Sequence, residues 1–301
     1  MSTIDTDEAP LGQGRNITGE IVTALLVQPS GIVGLAITVV IVLVALFAPW
    51  IAPWPPLETH AMDALAGPSS TYWLGTDETG RDVFSRLIYG TQPSLTVAIT
   101  AVLSGGSVGI ALGIMAGYYR GVLEAVVMRA CDIAFAFPLI LIGVCIVIIL
   151  GPSIYSVGIA VGIGVLPMFA RLARAEVLEE MERDYVKASR GMGGTDLFIV
   201  LRHIIPNIAA TMVVQLASAV SGAVLIASAL DFLGMGTQPP LPSWGNMLQA
   251  SRLYLSQSPT YALAPGIALT VFVIGINVFA AALTNALDPR IRTEILRERG
   301  K

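Results

Sequence analysis

Charged residues are scarce in this sequence. Asp, Glu, Lys and Arg make up 13% of its 301 residues, whereas hydrophobic residues make up 54%. Soluble domains carry about 25% charged residues, so this chain has too little polar surface to cover a fold that faces water on all sides. The composition excludes a soluble globular protein. The net charge of -4 gives no reason to expect nucleic-acid binding.

Residues suited to catalysis or metal binding are also few. The chain has 2 Cys and 2 His. Cys131 and Cys145 lie in one apolar segment, about 21 Å apart along a helix, which is too far for a disulfide bond. The sequence contains no G-x-x-x-x-G-K-[ST], H-E-x-x-H or G-x-S-x-G motif. It therefore predicts no catalytic residue, no metal site and no nucleotide bound by this chain.

Long apolar runs are what the sequence does contain. A helix needs about 20 apolar residues to cross the hydrocarbon core of a bilayer. Gly151 and Pro152 separate the third run from the fourth and predict a tight turn. The sequence predicts an all-α integral membrane protein with six transmembrane helices, at residues 31–52, 92–117, 131–150, 153–170, 207–230 and 262–286.

The distribution of Lys and Arg predicts the orientation. Of the 17 Lys and Arg residues, all except Arg81, Arg86 and Arg252 fall on one side of the predicted crossings. Cytoplasmic segments carry such an excess, so both termini are expected in the cytoplasm. The cytoplasmic parts are then residues 1–30, with a helix from Ile17 to Val27 on the membrane surface, the loop 171–206 and the tail 291–301. Residues 53–91 and 231–261 lie outside, and residues 92–290 form a core of five helices.

The loop 171–206 is charged and rich in Ala and Glu. This composition favours a helix from Arg171 to about Arg190. Glycines at positions 191–194 interrupt the pattern, and a second short helix is expected from Asp196 to Ile205. The loop is the largest structured segment predicted on the cytoplasmic side.

Two carboxylates lie at the ends of predicted crossings. Asp132 begins the third crossing, where it either pairs with Arg129 one helical turn away or lies at the mouth of a transport path. Asp231 ends the fifth crossing, where hydration is expected. Proton-coupled transporters need a chain of buried carboxylates and histidines, and this sequence has none, so an external source of energy is favoured.

Small residues and prolines mark the helix interiors. Gly109, Gly113 and Gly117 recur every four residues and predict close packing against another helix. Pro138, in the third crossing, frees backbone carbonyls and is either a flexing point of a pathway or a packing feature. The same alternatives apply to the prolines at positions 167 and 265.

Residues 184–206 read DYVKASRGMGGTDLFIVLRHIIP. This segment resembles the EAA loop of permease subunits in binding-protein-dependent ABC importers, with Lys187-Ala188-Ser189 in place of Glu-Ala-Ala. Gly193 and Pro206 keep the spacing of the pattern, whereas Lys187, Ser189, His203 and Ile205 depart from it.

Two further segments strengthen the resemblance. TYWLGTDETGRDVFSRLIYGTQPSL at 71–95 and SALDFLGMGTQPPLPSWGNML at 228–248 are similar to motifs of dipeptide, oligopeptide and nickel permeases. Asp231 replaces the usual Ser of the second motif. MRACDIAFAFPLILI at 128–142 is also similar, so the resemblance runs from about residue 20 to 290.

The resemblance implies a C-type permease subunit with a type I ABC importer fold in the bacterial inner membrane. Such a subunit pairs with a homologous permease and with two cytoplasmic ATPase subunits, which bind the ATP and Mg²⁺, while an external binding protein delivers the solute. This chain then needs no cofactor. Peptides are the first choice of solute, with nickel, glutathione, haem and opines as alternatives. A secondary transporter or channel is the competing function.

The resemblance and the pattern together assign candidate residues. The loop that couples to the ATPases comprises Asp184, Tyr185, Lys187, Ala188, Ser189, Arg190, Gly191, Gly193 and Pro206. Candidates for the translocation path or its gate are Asp132, Pro138, Asp231 and Trp244. Candidates for contact with the binding protein or another partner are Asp77, Arg81 and Asp82.

Overall fold

The computed structural model describes residues 17–299, and within them the regular structure is helical apart from one isolated β-bridge between Thr76 and Asp82. A 3₁₀ turn covers Ala61–Asp63 and a π-helical turn covers Val200–Ile204. The α-helices of the described range are α1 (Ile17–Val27), α2 (Pro29–Leu46), α3 (Ala48–Ile51), α4 (Val83–Tyr119), α5 (Gly121–Phe135), α6 (Leu139–Leu150), α7 (Ile154–Glu180), α8 (Asp184–Gly191), α9 (Asp196–Ile199), α10 (Ile205–Phe232), α11 (Trp244–Ser251), α12 (Pro259–Leu287) and α13 (Pro289–Arg299).

Five helices of the described chain are long and apolar enough to cross a membrane: α2, α4, α7, the continuous α9–α10 segment and α12. They coincide with five of the six predicted crossings. The bent pair α5 and α6 makes a sixth when the two are counted as one span. The prediction of a six-span, all-α membrane protein agrees with this arrangement.

The third crossing is not the single straight helix predicted for residues 131–150. The axes of α5 and α6 differ by 94°, and Pro138 caps the start of α6. Proline lacks the backbone N–H that would continue α5, and its ring clashes with the preceding turn. With 12 residues, α6 is about 18 Å long, shorter than the hydrocarbon core of a bilayer.

The second crossing begins nine residues earlier than predicted, at Val83 rather than residue 92. Asp82 caps the helix, because its carboxylate accepts a hydrogen bond from the backbone N–H of Ser85 at 2.8 Å. A helix of 37 residues is about 55 Å long, so α4 extends beyond any bilayer core. The outer segment therefore ends at residue 82, with Pro93 inside the helix.

The glycine face of α4 packs on α7, as the four-residue spacing predicted. A Cβ added at Gly105 would lie 2.1 Å from the carbonyl oxygen of Gly162, and one at Gly113 would lie 2.3 Å from that of Ala170. Only glycine permits this backbone approach. Phe169 is fully buried beside this contact, and the α4–α7 pair forms the centre of the bundle.

The helices define two ends of the molecule. At the α11 end, the segments 52–82 and 233–258 cover the bundle. Thr260 of α12 donates to the carbonyl of Leu74 in the first of these segments at 2.9 Å. Beneath them, Gln92 of α4 donates to the carbonyl of Ala45 on α2 at 2.8 Å. At the α8 end lie α1, α8, α9 and α13. Each end therefore gathers segments that are far apart in sequence.

Three predictions for the α8 end need correction. The helix predicted from Arg171 to Arg190 is divided, because α7 ends at Glu180 and α8 starts at Asp184. The short helix predicted from Asp196 continues through the π turn into the fifth crossing. The predicted tail forms α13, whose Arg292 lies 3.5 Å from the carboxylate of Glu20 on α1.

The helix predicted at 17–27 is present as α1, but its apolar face meets protein. Ala24 and Leu25 are buried in a cluster with Ala282 and Ala286 of α12. The exposed apolar residues of α1 are Val22 and Leu26. Residues 1–16 of the predicted N-terminal segment and the last two residues lie outside the described residues, whereas Pro29 and Ser30 already belong to α2.

Candidate functional site

Helix α8 presents one face to the protein and another to its surroundings. Val186 and Ser189, three residues apart, are buried. Val186 belongs to an apolar cluster with Val177 of α7, Ile199 of α9 and Ile204 of the π turn. This cluster joins α8 to the ends of three other segments, so α8 is seated on the bundle and does not hang free.

The opposite face of α8 is available to a partner. Its exposed residues are all among the predicted coupling residues: Asp184, Tyr185, Lys187, Ala188, Arg190 and Gly191. Small Ala188 lies on this face, as expected for close docking. Ser189 does not, because it points into the protein, where Gly194 packs against it. The prediction that Ser189 docks on a partner is therefore wrong for its side chain.

The turn after α8 depends on two of its three glycines. Gly193 has a φ of +85°, a conformation that L residues rarely adopt. Gly191 is the last helical residue of α8, and a Cβ added there would meet open space, so this position has no such requirement. Gly194 is needed for space, since an added Cβ would lie 2.9 Å from the carbonyl oxygen of Ser189.

Polar contacts connect α8 and α9 to the end of α4. The Tyr118 hydroxyl donates to the Asp196 carboxylate at 2.7 Å. The guanidinium of Arg190 lies 5.5 Å from the centre of the Tyr118 ring, within range of a cation–π contact. Tyr118 itself is buried in the same apolar cluster as Val186. A displacement of α8 or α9 therefore acts directly on α4.

A second connection runs through Glu182 in the turn before α8. Its carboxylate lies 3.0 Å from Lys187 Nζ and 3.7 Å from the guanidinium of Arg120, at the end of α4. The hydrogen bond from Lys187 and the positive charge of Lys187 lower the pKa of Glu182. Glu182 therefore lies between α8 and the end of α4, with a cation from each beside its carboxylate.

The segment after α9 contains the π turn, followed by Pro206 in the first turn of α10. Proline cannot donate to the carbonyl four residues before it, and a local π turn accommodates the mismatch. Asn207 donates to the Tyr185 hydroxyl at 3.0 Å, and the Tyr185 ring lies 5.7 Å from that of His203. Two predicted coupling residues, Tyr185 and Pro206, thus lie at the junction of α8 with α10.

Asp132 pairs across helices and not within its own. Its carboxylate binds the guanidinium of Arg171 on α7, which also lies 4.4 Å from the centre of the Phe135 ring. The predicted ion pair between Asp132 and Arg129 is therefore replaced by one between Asp132 and Arg171. Both partners of the Asp132–Arg171 ion pair are about half-exposed. The pair holds α5 beside α7 just before the bend at Pro138.

At the α11 end, the candidate contact residues are turned inward. Asp77 is completely buried; its carboxylate receives Arg81 Nε at 2.6 Å and lies 3.3 Å from Arg86 Nε. Asp82 is 3% exposed and caps α4. Side chains buried within their own chain cannot touch a partner, so the predicted direct contact is wrong for Asp77 and Asp82. Arg81 retains slight exposure.

Arg86 fixes the segments that cover this end. Its Nη1 donates to the carbonyls of Pro56 at 3.0 Å and Pro240 at 3.3 Å, while Asp77 balances its charge. A buried cation without such partners would be strongly destabilising. The motif that contains Asp77, Arg81 and Asp82 therefore holds the cover in position.

The prediction that Asp231 is hydrated is wrong, because its side chain is buried. Its carboxylate receives the Thr237 backbone N–H at 2.9 Å and the Ser243 hydroxyl. Gly245 packs on it so closely that an added Cβ would lie 2.5 Å from the Asp231 Cβ. Asp231 thus shapes the turn between α10 and α11.

Trp244, beside this turn, is 2% exposed, and its indole N–H donates to the carbonyl of Leu87 at 3.2 Å. Its backbone N–H donates to Ser94. Trp244 therefore attaches α11 to α4. Neither Trp244 nor Asp231 lines an open surface.

A cavity of ≈ 560 Å³ lies at the α11 end, between the 56–57 segment, α4, the 152–154 turn and residues 237–242. Its lining includes Tyr89, Gln92 and Gln238 and contains no charged side chain. The loop that Asp231 and Ser243 hold forms one of its walls. Of the predicted gate residues, Asp231 and Trp244 therefore lie beside this wall, whereas Asp132 and Pro138 lie elsewhere, on α5 and at the start of α6.

Comparison of the sequence with known proteins shows the family of this chain. The family model described as binding-protein-dependent transport system inner membrane component matches residues 109–293. The chain belongs to this family. The N-terminal transmembrane domain of oligopeptide transport permease C matches residues 18–68. The resemblance seen in the motifs is confirmed, and the chain is a permease subunit of an ABC importer.

Relatives of this permease are similar over most of their length. It is 40% identical to the dipeptide transport system permease protein DppC of Alkalihalophilus pseudofirmus, over 87% of this chain and 86% of the relative. It is 41% identical to the di/tripeptide transport system permease protein DppC of Pseudomonas aeruginosa, over 86% and 88%. It is 38% identical to the glutathione transport system permease protein GsiD of Pectobacterium atrosepticum, over 84% of each.

Sequence reasoning about this permease missed Tyr118, Asp196, Arg171 and Arg86. Arg171 and Arg86 carried a usable signal, since a charge next to an apolar run needs a partner. Tyr118 and Asp196 gave none, because their contact joins residues 78 positions apart. The predicted coupling residues of α8 could be named from the sequence because they are contiguous in it, and their role stays a prediction.

Proposed function

We propose that this permease is the C-type subunit of a peptide importer in the bacterial inner membrane. With a homologous permease it forms the path for di- and oligopeptides, and two cytoplasmic ATPases drive it. An external binding protein delivers the solute. The observation that carries the proposal is α8, a short exposed helix whose buried side joins the ends of α4, α7 and α10.

The charge distribution supports a cytoplasmic location for the α8 end. Among the described residues, Arg81, Arg86 and Arg252 are the Lys and Arg residues of the α11 half, and Arg81 and Arg86 are paired with Asp77. The other described Lys and Arg residues lie in the α8 half. By the positive-inside rule, α8 and both termini face the cytoplasm.

The contacts of α8 support a mechanical role. An ATPase that closes around ATP moves any helix bound in its surface groove, and rigid-body motion of packed helices is a common switching mechanism. Because Val186 is buried among residues of α7, α9 and the π turn, α8 cannot move alone. ATP and Mg²⁺ belong to the ATPase subunits in this proposal, and this chain supplies the lever.

The choice of peptides as solute rests on the relatives, which include dipeptide, di/tripeptide and glutathione permeases. Glutathione is itself a tripeptide. Nickel, haem and opines remain alternatives, because in such systems the binding protein selects the solute. A secondary transporter is disfavoured because the described spans contain no connected chain of carboxylates and histidines.

Reconstitution tests the proposal. The permease pair, both ATPases and the binding protein are placed in vesicles, and uptake of a radiolabelled dipeptide is measured. Uptake should require ATP, persist without a proton gradient, and disappear when the ATPases carry a Walker A Lys→Ala substitution. Uptake that continues with inactive ATPases and follows the proton gradient would show a secondary transporter instead.

A further inference from the structure

Uncharged polar side chains recur along α10 and α12, two helices that contact each other. Ser221 of α10 contacts Asn277 of α12, with their side-chain oxygens 3.3 Å apart. Thr284 lies seven residues beyond Asn277, on the same helix face, and both are exposed. On α10, Thr211, Gln215 and Ser218 follow one another at helical spacing and are partly exposed. These six residues define the α10–α12 groove.

A cavity of ≈ 620 Å³ lies at the α8 end of these polar residues. Thr211 and Gln215 line one side of this cavity, and Thr284 and Asp288 line the other. Thr211 also donates to the carboxylate of Glu176 at 3.4 Å. The polar strip therefore leads from the middle of two spanning helices to an acidic opening at the end that carries α8.

Polar side chains on an exposed face of a spanning helix are unfavourable against lipid. Asn277 satisfies one of its amide hydrogens on its own helix, through the carbonyl of Val273, yet its side chain remains exposed. By contrast, α2 exposes Val33, Val39, Val40 and Leu43, as expected for a surface that faces lipid. The exposed stripe of α12 is itself apolar at Ile267 and Ile274 and becomes polar from Asn277 toward the α8 end, so it is this inner part of the groove that suits water or another protein.

We propose that the α10–α12 groove lines the solute path and contacts the peptide backbone. This inference rests on the proposed function and extends it to named residues. Peptides with different side chains share their amide N–H and C=O groups. Hydroxyl and carboxamide side chains both donate and accept hydrogen bonds, so they match amides without selecting a side-chain charge.

The side chains of the α10–α12 groove disfavour tight binding of the solute. Its six residues include no carboxylate, imidazole or thiol, which are the side-chain groups that bind nickel strongly. Neutral hydrogen bonds that replace bonds to water contribute only about 1 kcal/mol each. Such a wall compensates for lost hydration and still releases the peptide toward the cytoplasm.

Cysteine accessibility in the complete transporter tests the path. Cys131 and Cys145 are first replaced by Ala, and Ser218→Cys, Asn277→Cys and Thr284→Cys are introduced singly. A charged, water-borne methanethiosulfonate reagent should label these positions at least about tenfold faster than Val40→Cys on the exposed face of α2, because thiolates form readily only in contact with water. Mass spectrometry of this subunit gives the rates.

Two nucleotide states must be compared, namely the resting complex and the complex trapped with ATP and vanadate. Labelling of Asn277→Cys that is fast in one state and slowed by a saturating transported dipeptide supports the path. Labelling as slow as that of Val40→Cys in both states overturns it. Crosslinking of Asn277→Cys to the second permease would then identify the groove as a subunit interface.

Transport kinetics give an independent measure. Asn277→Leu should lower the maximal rate of dipeptide uptake severalfold and leave the concentration of loaded binding protein at half-maximal uptake unchanged. Asn277→Gln should restore much of the rate, and Thr38→Val on α2 should have no effect. Equal rates for Asn277→Leu and wild type would contradict the inference. Dipeptide uptake by the Cys-free complex separately tests the proposed function, so the two failures are distinguishable.

Discussion

Tyr118 connects the proposed lever, α8, to the bundle through a single side chain. Its ring is buried with Val186 and Ile199, while its hydroxyl reaches Asp196 at 2.7 Å. Packing and hydrogen bonding are therefore separable at this residue, because the hydroxyl can be removed without creating a cavity. Few other contacts at the α8 end allow this separation.

Tyr118→Phe should weaken coupling without preventing assembly. The lost hydrogen bond is made to a carboxylate, and such bonds contribute about 1.5–3 kcal/mol, so the solute moved per ATP hydrolysed should fall by about tenfold. The ratio of dipeptide uptake to phosphate release measures this. Tyr119→Phe is the matched control, since Tyr119 is the exposed neighbour. Equal ratios for the two variants would show that the Tyr118 hydroxyl does not contribute to coupling.

At the scale of the element, α8 depends on its two flanking turns. The turn before it contains Glu182, which bridges to Arg120 and Lys187. The turn after it requires the positive φ of Gly193. The orientation of α8 is thus set from both sides, and a change in either turn redirects its exposed face.

Gly193→Val should abolish uptake and leave membrane insertion intact. A side chain in this left-handed conformation costs roughly 1–2 kcal/mol, which displaces α8 from its seat. Quantitative blotting of membranes gives insertion, and dipeptide uptake gives function. Gly67→Val, at an exposed glycine with open space and outside α8, should retain near wild-type uptake. Normal ATP-driven uptake by Gly193→Val would count against the lever.

At the scale of the whole molecule, the two ends differ in character. The α11 end is held by buried contacts of Arg86, Asp231 and Trp244. The α8 end presents exposed charges on α8. The α11 end, with its buried contacts, suits the covered side of a transport path. The α8 end, with its exposed charges, suits the side that the ATPases contact in the proposed function.

Topology is directly testable with two exposed methionines. In a background without Cys131 and Cys145, Met192→Cys beside α8 and Met62→Cys in the 3₁₀ turn are 84% and 98% exposed positions, respectively. In sealed cells, an impermeant maleimide should label Met62→Cys readily and Met192→Cys only after permeabilisation. Labelling of Met192→Cys in intact cells would reverse the orientation and remove the contact with cytoplasmic ATPases.

Five of the six predicted spans and the helix α8 were predictable because they depend on local properties, whereas the bend in the third crossing was not predicted. Apolar length decides whether a helix can cross a bilayer, and glycine spacing decides whether it can pack closely. Residues 184–193 form α8 and its turn from consecutive positions. Such features need no knowledge of which distant segment lies nearby.

Which residues contact each other across the bundle was decided only by the tertiary structure. Gly105 required the backbone of Gly162, Asp132 required Arg171, and the buried Asp231 required Ser243. Each pairing depends on which helices pack together, and burial of a charge depends on what covers it. Local composition predicts that a helix forms and how long it is, whereas the position of each polar group relative to its partner is a property of the packed bundle.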